Sequence, residues 1–379
     1  MDIKDLREKI NNLDDTLSSA FKERMEVALE IARYKKENNM PVFDPARERA
    51  VVSRLTEGCD DAVAIAMKTL YSTIFDLSRS YQHRYMMGET LLHQKIAGAM
   101  ENTPVVFPAR ASVACQGVEG AYSQQACEKL FQLPDITYFK RFEGVFQAIE
   151  SGMCRYGVLP IENSSFGSVT EVYDLMRRHR FSIVRAVKVK IEHHLLALPG
   201  VKLEEIKEVV SHEQAIGQCG EFLRKHPEIQ VTVCTNTAAA AKMVAESGRR
   251  DLAAISSFAC AQLYGLLSIA ERIADSDSNF TRFICIAKEL EIYPGADKTS
   301  LMLSLPHKPG ALYRMIARFS ALGLNLTKLE SRPIAGSDFE FMFYFDLAAS
   351  VYAPEVTQLL CELEQSGQPF TYLGSYSEV

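Results

Sequence analysis

Several features that mark common functional classes are missing from this chain. None of its nine cysteines, Cys59, Cys115, Cys127, Cys154, Cys219, Cys234, Cys260, Cys285 and Cys361, sits in a CxxC pair, so neither a zinc site nor a redox dithiol is indicated. An odd, scattered set is the pattern of free thiols in a reducing cytoplasm. There is no GxGxxG and no Walker lysine, which removes support for nucleotide binding. No apolar run is long enough to cross a bilayer. The start, Met1-Asp2-Ile3-Lys4-Asp5, is charged and has no apolar signal region. The net charge is −6 with no basic face, so nucleic acid is not an expected partner. The expectation is a cytoplasmic protein with no metal, cofactor or membrane partner. At 379 residues it is long for one core, and two or three domains are expected.

Proline and glycine are absent from Asp5 to Glu37. Apolar residues recur there at Leu6, Ile10, Leu13, Leu17, Ala20, Val27, Ile31 and Tyr34, the seam of a long amphipathic helix. Arg24 occupies a seam position that calls for an apolar side chain, and a guanidinium there is costly unless an anion meets it. Lys35, about three turns on and roughly 16 Å along the axis, shares that face. A small dianion between the two could touch both. Arg7 is roughly 25 Å from Arg24 and about a quarter turn round, so only an antiparallel copy from a second chain could bring it to the same ligand. An ordinary solvated run of charges is the alternative.

After Glu37 the helix is expected to end near Asn38 and Asn39. Asp44-Pro45 reads as an N-cap with proline at the first helical position. A short helix carrying Arg47 and Glu48 follows, then a third from about Ala62 past Gln82, with Ser78 and Gln82 on one face. Helices so unequal make a poor monomeric core, which points to a dimer of intertwined chains. Leu6-Arg7-Glu8-Lys9-Ile10, Leu13-Asp14, Glu23-Arg24, Lys35, Asp44, Arg47-Glu48, Ser78 and Gln82 together resemble the all-helical chorismate mutases over roughly residues 1–90. The resemblance implies that the partner chain's Arg7 joins Arg24 and Arg47 on the substrate carboxylates. It implies that Lys35 and Gln82 meet the breaking ether oxygen and that Glu48 holds the ring hydroxyl, with Asp44 and Ser78 in support. That rearrangement is pericyclic and needs confinement and oriented donors rather than a nucleophile.

From Met86 to about Ala109 the pattern loosens around Gly88, Gly98, Pro104 and Pro108. Part is expected to extend the third helix and the rest to be a tether, giving a mutase segment 1–92 and a linker 93–109. Strand and helix patterns then alternate. Strands are expected at Ser112–Gln116, Thr137–Phe139, Gly157–Ile161, Ile183–Val189, Glu208–Ser211, Val231–Cys234, Leu252–Ile255 and Phe283–Ala287. Helices are expected at Tyr122–Leu133, Val145–Ser151, Glu171–His179, Gln214–Lys225 and Ala238–Ser247. The expectation is α/β, mostly parallel, in two lobes with a cleft. Polar strand-to-helix junctions at Gly117–Ser123, Glu162–Gly167, Ser211–Gln214 and Asn236-Thr237 could each be an ordinary cap. Four together point to a carboxylate-binding cleft.

Gly117/Gly120-Ala121-Tyr122-Ser123, Pro160-Ile161-Glu162-Asn163-Ser164, Ser211-His212, Gln218 and Asn279-Phe280-Thr281-Arg282-Phe283 resemble prephenate dehydratases over about residues 110–288. Val118, Glu213 and Cys115 depart from that family's usual residues. The resemblance implies Thr281 as the hydroxyl assisting the departing OH, and Asn163, Glu162 and Gln218 as groups that orient ring and leaving group. It implies a carboxylate on the N–H groups near Ala121, Tyr122 and Ser123, with Ser123 as cap. Ser164 and His212 are placed at the substrate, and Arg282 as a carboxylate or structural partner. Thr281 alone carries little, because threonine is common in strands.

Residues 298–379 read βαββαβ, a ferredoxin-like order, with strands at Thr299–Leu305, Leu324–Ser331, Phe339–Leu347 and Phe370–Leu373. The helices are Leu312–Leu322 and Pro354 to about Gln365. Gly310-Ala311-Leu312-Tyr313-Arg314 and Glu330-Ser331-Arg332-Pro333 resemble the signature motifs of amino-acid-binding ACT domains. That implies phenylalanine held near Gly310, Ala311, Leu312, Glu330 and Ser331 between paired units. A packing domain without a ligand is the alternative. Together the resemblances imply a multidomain enzyme that takes chorismate to prephenate and prephenate to phenylpyruvate, with phenylalanine as effector, in a homodimer or higher oligomer. A non-catalytic two-lobed ligand sensor is the competing reading.

Overall fold

The computed structural model describes residues 2–86, 90–334 and 341–379. It opens with four helices, α1 (Ile3–Glu37), α2 (Pro45–Thr56), α3 (Asp61–Met86) and α4 (Leu91–Asn102). An α/β stretch follows: β1 (Arg110–Gln116), α5 (Tyr122–Leu130), β2 (Leu133–Phe139), α6 (Phe142–Glu150), β3 (Tyr156–Asn163), β4 (Gly167–Ser168), α7 (Thr170–His179) and β5 (Ser182–Lys190). It continues through β6 (His194–Ala197), β7 (Glu208–Ser211), α8 (Glu213–Gln218), α9 (Gly220–Lys225), β8 (Gln230–Val233), α10 (Thr237–Ser247), β9 (Leu252–Ser256), α11 (Phe258–Tyr264), β10 (Leu267–Ala270) and β11 (Phe280–Ala287). Last come β12 (Lys298–Ser304), α12 (Ala311–Ala321), β13 (Asn325–Pro333), β14 (Phe341–Ala348), α13 (Pro354–Glu364) and β15 (Phe370–Tyr376). The chain divides into two compact units that do not follow its linear segments. One holds Met1–Gln94, Lys308–Arg318 and Pro354–Gln368, and the other Lys95–His307, Phe319–Ala353 and Pro369–Val379.

The first unit is helical. Asp2 caps α1 in a reciprocal box with Asp5, and Asn38 closes it. At 35 residues α1 is about 52 Å long. Only Ala28 and Ala32 are buried on it, while Ile10, Leu13 and Leu17 are 57%, 58% and 62% exposed. Asp44 caps α2 and Pro45 opens it, as the sequence predicts. Helix α13 lies against α3, where Ser80 donates to Glu362 at 2.8 Å and Arg318 also pairs with Glu362.

In the second unit one sheet runs β2-β1-β3-β11-β5, with β4 beside β3, and another runs β10-β6-β9-β7-β8. The strands are not mostly parallel. β1 pairs in parallel with β2 and β3, whereas β11 is antiparallel to both β3 and β5, and β6 is antiparallel to β9 and β10. The cause is the chain path. It leaves the first lobe through residues 191–193, builds the second, and returns through residues 271–279 from the opposite direction. The two crossings are bonded to each other, from Ile191 N–H to Asn279 C=O at 2.8 Å and from Ile273 N–H to His193 C=O at 2.9 Å.

A third, antiparallel sheet, β13-β14-β12-β15, lies against the first. Residue 186 bonds to residues 377 and 379, and one apolar cluster joins Leu159, Ile161, Tyr173 and Ile284 to Met302, Tyr344, Leu373 and Tyr376. Helix α4 replaces much of the expected tether, burying Leu92, Ile96 and Ala99 along one stripe. β6, β10 and α11 were not anticipated. The expected helix Tyr122–Leu133 stops at Leu130 because Leu133 already pairs with Arg110, and Gln214–Lys225 breaks at Cys219 into α8 and α9. Phe339, expected to begin a strand, lies outside the described residues, and β14 begins at Phe341.

Candidate active sites

In the helical unit, α1 and α3 bring Arg24 to Ser78, to whose hydroxyl the guanidinium donates. Arg24 also stands over the Phe75 ring at 5.7 Å. Burial draws its pKa below the ordinary arginine value, with Tyr71 and Glu48 opposing. Lys35 donates to the Val42 carbonyl at 2.6 Å. Burial lowers its pKa, against the fields of Asp44 and Glu48. Arg24, Lys35, Asp44 and Glu48 therefore share one electrostatic neighbourhood. Gln82 is buried, and its Oε1 is a buried atom with no hydrogen-bond partner among the described residues. Arg7 and Arg47 are exposed. Sequence reasoning missed Arg79, which pairs with both Glu48 and Asp76 and stacks on Phe43. Its spacing, three residues before Gln82, put it on the same helix face.

In the α/β unit, β3 and β11 run antiparallel with Asn163 opposite Thr281 and Glu162 opposite Arg282. Asn163 Nδ2 donates to Thr281 Oγ1 at 2.9 Å and to Asn279 Oδ1 at 2.8 Å, while its Oδ1 accepts from the N–H groups of Ser165 and Phe166. Two backbone donors identify the oxygen end of that amide, so the Asn163–Thr281 bond has one direction. In that bond Thr281 accepts, so its own O–H is available as a donor. Ser164 ties the same strand end to the return crossing, bonding to Ser278 C=O and Phe280 N–H.

Gln218 reaches this junction from the other lobe. Its carbonyl accepts from Asp275 N–H at 2.7 Å, and its side chain meets His193 Nε2 at 2.7 Å. His193 is buried and burial lowers its pKa, so it is a neutral ring. Nε2–H then faces Gln218 Oε1 and directs the Gln218 amide donors elsewhere. Tyr122 lies edge-on to His193 and donates to the Glu192 carbonyl at 2.5 Å. His193 was missed at the sequence level, and Asn279 was named in its motif without a role. They are polar residues on the crossings, and only the fold shows that the crossings meet.

Ser123 and Glu162 correct expectations, whereas His212 is the cap and Arg282 the structural partner that the sequence left open. Ser123 does not cap α5; Ala121 is its N-cap, with no side-chain bond, and Ser123 is buried in the first turn. His212 is an N-cap whose Nδ1 accepts from Gln214 N–H; burial lowers its pKa. Arg282 and Glu162 each follow or precede a site residue in an extended strand, so they face the opposite side of the sheet from Thr281 and Asn163. There Arg282 pairs with buried Asp346, and Glu162 with Lys328 at 2.7 Å. In the C-terminal segment, Gly310 takes φ +78°, and a Cβ there would lie 3.2 Å from Arg314 Nη1. Ala311 and Leu312 begin α12. Glu330 and Ser331 lie on β13, Glu330 accepting from Ser168 Oγ at 2.7 Å.

A helical unit whose half-buried cations Arg24 and Lys35 lie in the fields of Asp44 and Glu48, and an α/β unit with a neutral hydroxyl–amide pair where two lobes join, define an enzyme with two sites. Residues 6–83 match the family of chorismate mutase type II and residues 113–291 that of prephenate dehydratase. The chain is 33% identical to the bifunctional chorismate mutase/prephenate dehydratase of Escherichia coli strain K12, over 98% of this chain and 95% of that one. It is 40% identical to arogenate dehydratase 2 of Petunia hybrida, over 70% of this chain and 72% of that one. Among solved structures, prephenate dehydratase of Arthrobacter aurescens in complex with L-Phe superposes with a TM-score of 0.65 at 29% identity, covering 70% of this chain and 90% of that one. The chain belongs to the bifunctional chorismate mutase/prephenate dehydratase family.

Proposed function

We propose that the chain rearranges chorismate to prephenate in its helical unit and converts prephenate to phenylpyruvate in its α/β unit, as two steps of phenylalanine biosynthesis. For the first step, Arg24 and Arg47, with Arg7 of a second chain, hold the two carboxylates. Lys35 and Gln82 aim donors at the ether oxygen, which gains negative charge as its C–O bond breaks and the new C–C bond forms. Glu48 takes the ring hydroxyl, with Asp44 and Ser78 supporting Lys35 and Arg24. No proton need be transferred, so confinement of the reactive conformer supplies much of the acceleration.

For the second step, the carboxylate–ring bond of prephenate breaks and its electron pair enters the ring. The ring C–O bond breaks, and the departing hydroxide takes a proton to leave as water beside carbon dioxide. The observation that carries the assignment is the direction of the Asn163–Thr281 bond. An amide donating to Thr281 Oγ1 makes the hydroxyl a better donor to the departing oxygen. Gln218, oriented by His193, and the first turn of α5 at Ala121, Tyr122 and Ser123 receive the ring and a carboxylate, with Ser164 and His212 at the margin.

Residues 1–92, 110–288 and 298–379 serve as mutase, dehydratase and ACT segments, joined through 93–109. The last binds L-phenylalanine near Gly310, Ala311, Leu312, Glu330 and Ser331 and lowers dehydratase activity. The complex of the Arthrobacter aurescens relative with L-Phe supports that ligand. The exposed stripe on α1 supports a homodimer, and nine free thiols support a cytoplasmic location. The test is purified protein given chorismate with no added cofactor. Phenylpyruvate should form, and Thr281→Ala should cut dehydration by about 10²–10⁴-fold while mutase turnover and phenylalanine binding persist. A wild-type chain that binds phenylalanine and dehydrates nothing is a sensor.

A further inference from the structure

We propose that Asp346 and Lys328, on the C-terminal sheet, are positioning residues of the dehydratase reaction. They act through Arg282 and Glu162 to set where Thr281 and Asn163 stand. This rests on the dehydratase reading above. Because Asn163 lies opposite Thr281 and Glu162 opposite Arg282, the strand ends carry two cross-strand pairs, one on each face. The outward pair is the neutral one that meets substrate. The inward pair is charged, and each member is held by the neighbouring sheet. Arg282 is 5% exposed and pairs with Asp346, which is fully buried and also accepts from Ser300 Oγ. Burial alone would lower the Arg282 pKa; Asp346, Tyr376 and Tyr344 together raise it above the ordinary value. The guanidinium is therefore a fixed charge. Its Nε stands 3.5 Å from Glu162 and 4.0 Å from Glu378, without a hydrogen bond to either. Glu162 is held instead by Lys328 Nζ, which also donates to Ser168 Oγ at 2.8 Å.

The β3–β11 ladder is irregular beside the site, although β11 keeps its pairing with β5 through Thr281 and β3 its pairing with β4 at Asn163. Its register slips between Arg282, opposite Glu162, and Phe283, opposite Pro160, leaving one extra residue on β3. A bulge of this kind loosens regular pairing and re-aims the residues beyond it. Asn163 and Thr281 lie beyond it. Beyond the slip their backbone is held by pairing with β5 and β4, by Ser164, which bonds Ser278 C=O and Phe280 N–H, and by the flanking Glu162 and Arg282 side chains, which end on Lys328 and Asp346. Glu330, which the family resemblance places at the effector, enters the same network through Ser168.

Steady-state kinetics on prephenate with Lys328→Gln and Asp346→Asn test the proposal in the full-length protein. Misplacement of the catalytic pair should lower kcat by about tenfold to a hundredfold, with KM within about twofold of wild type. Lys328→Arg, which keeps the charge, should restore most of the rate. Mutase turnover should be unchanged, and inhibition by phenylalanine should weaken in Lys328→Gln. A kcat at the wild-type level in folded Lys328→Gln, or a loss confined to KM, overturns the proposal. If Asp346→Asn fails to fold, Lys328→Gln and Lys328→Arg decide the matter. Wild-type protein unable to dehydrate prephenate would overturn the functional reading instead.

Discussion

At Asn163 both ends of the side-chain amide are engaged, the oxygen by two backbone N–H groups and the nitrogen by Asn279 and Thr281. A side chain held this way has one orientation, and it makes the weak Thr281 hydroxyl a directed donor. Arg24 presents the opposite case. It has a hydroxyl and a ring face for company but no carboxylate within ion-pair reach among the described residues. Replacing Arg24 by leucine should therefore lower mutase kcat/KM by at least about 10²-fold, since a charge-assisted contact to a carboxylate is lost. The helix itself should be unharmed, because leucine suits the seam. Steady-state assay beside a thermal melt separates the two effects.

His193 gives a pH prediction. Burial lowers its pKa in the folded chain, so on acidification the unfolded chain takes up this proton first. The stabilising contribution is fully present above the ordinary histidine value of 6.5 and is lost as pH falls through the lower folded value. His193→Gln should shrink the drop in Tm between about pH 7.5 and about pH 5.5. An equal drop in both proteins would place the acid sensitivity elsewhere. His83, His194 and His212, whose pKa values burial also lowers, contribute with the same sign.

At the level of elements, β15 is fastened to β5 by close backbone approach. Gly374 has φ +131°, and a Cβ there would lie 2.3 Å from the Ile183 carbonyl oxygen. Gly374→Ala should destabilise the α/β unit by about 1–3 kcal/mol or more and lower the dehydratase melt, while spectra of the helical unit change little. Calorimetry reads both. Much of this layer was legible in the sequence. The capped start of α2, the length of α1 and the cores of most strands follow from spacing and turn chemistry.

The facing of Glu162 was legible too and was misread, while Arg282 takes the structural role that the sequence allowed. Neighbours in an extended strand point to opposite sides, so Thr281 and Arg282 could not both address one ligand once β11 begins at Phe280. By contrast, β6 and β10 are four residues each, and β6 is buried at every position. Such runs have no period to detect. Helix α4 was obscured by Gly98, although Leu92, Ile96 and Ala99 carry the helical spacing.

For the whole molecule the decisive feature is the uncovered half of α1. A stripe containing Leu6, Ile10, Leu13 and Leu17, all over 40% exposed, is far more apolar surface than a lone helix keeps against water. The chemistry makes the same demand. Arg7 stands roughly 25 Å from Arg24 along one helix, so its guanidinium can complete the Arg24 site only from a second, antiparallel copy. Leu13→Glu with Leu17→Glu puts four like charges into that seam per pair of chains. The wild type should sediment as a dimer or larger and the double variant as a monomer. Its mutase rate should fall by at least about 10²-fold, since one carboxylate clamp is gone. Its dehydratase rate should stay within about twofold, because Asn163, Thr281, Gln218 and His193 all lie in the α/β unit of one chain. Sedimentation velocity paired with both assays gives the answer. A monomeric variant with full mutase turnover would mean that Arg7 has no role and that α1 carries a complete site alone. A wild type that is monomeric from the outset, yet isomerises chorismate at full rate, would say the same without any substitution.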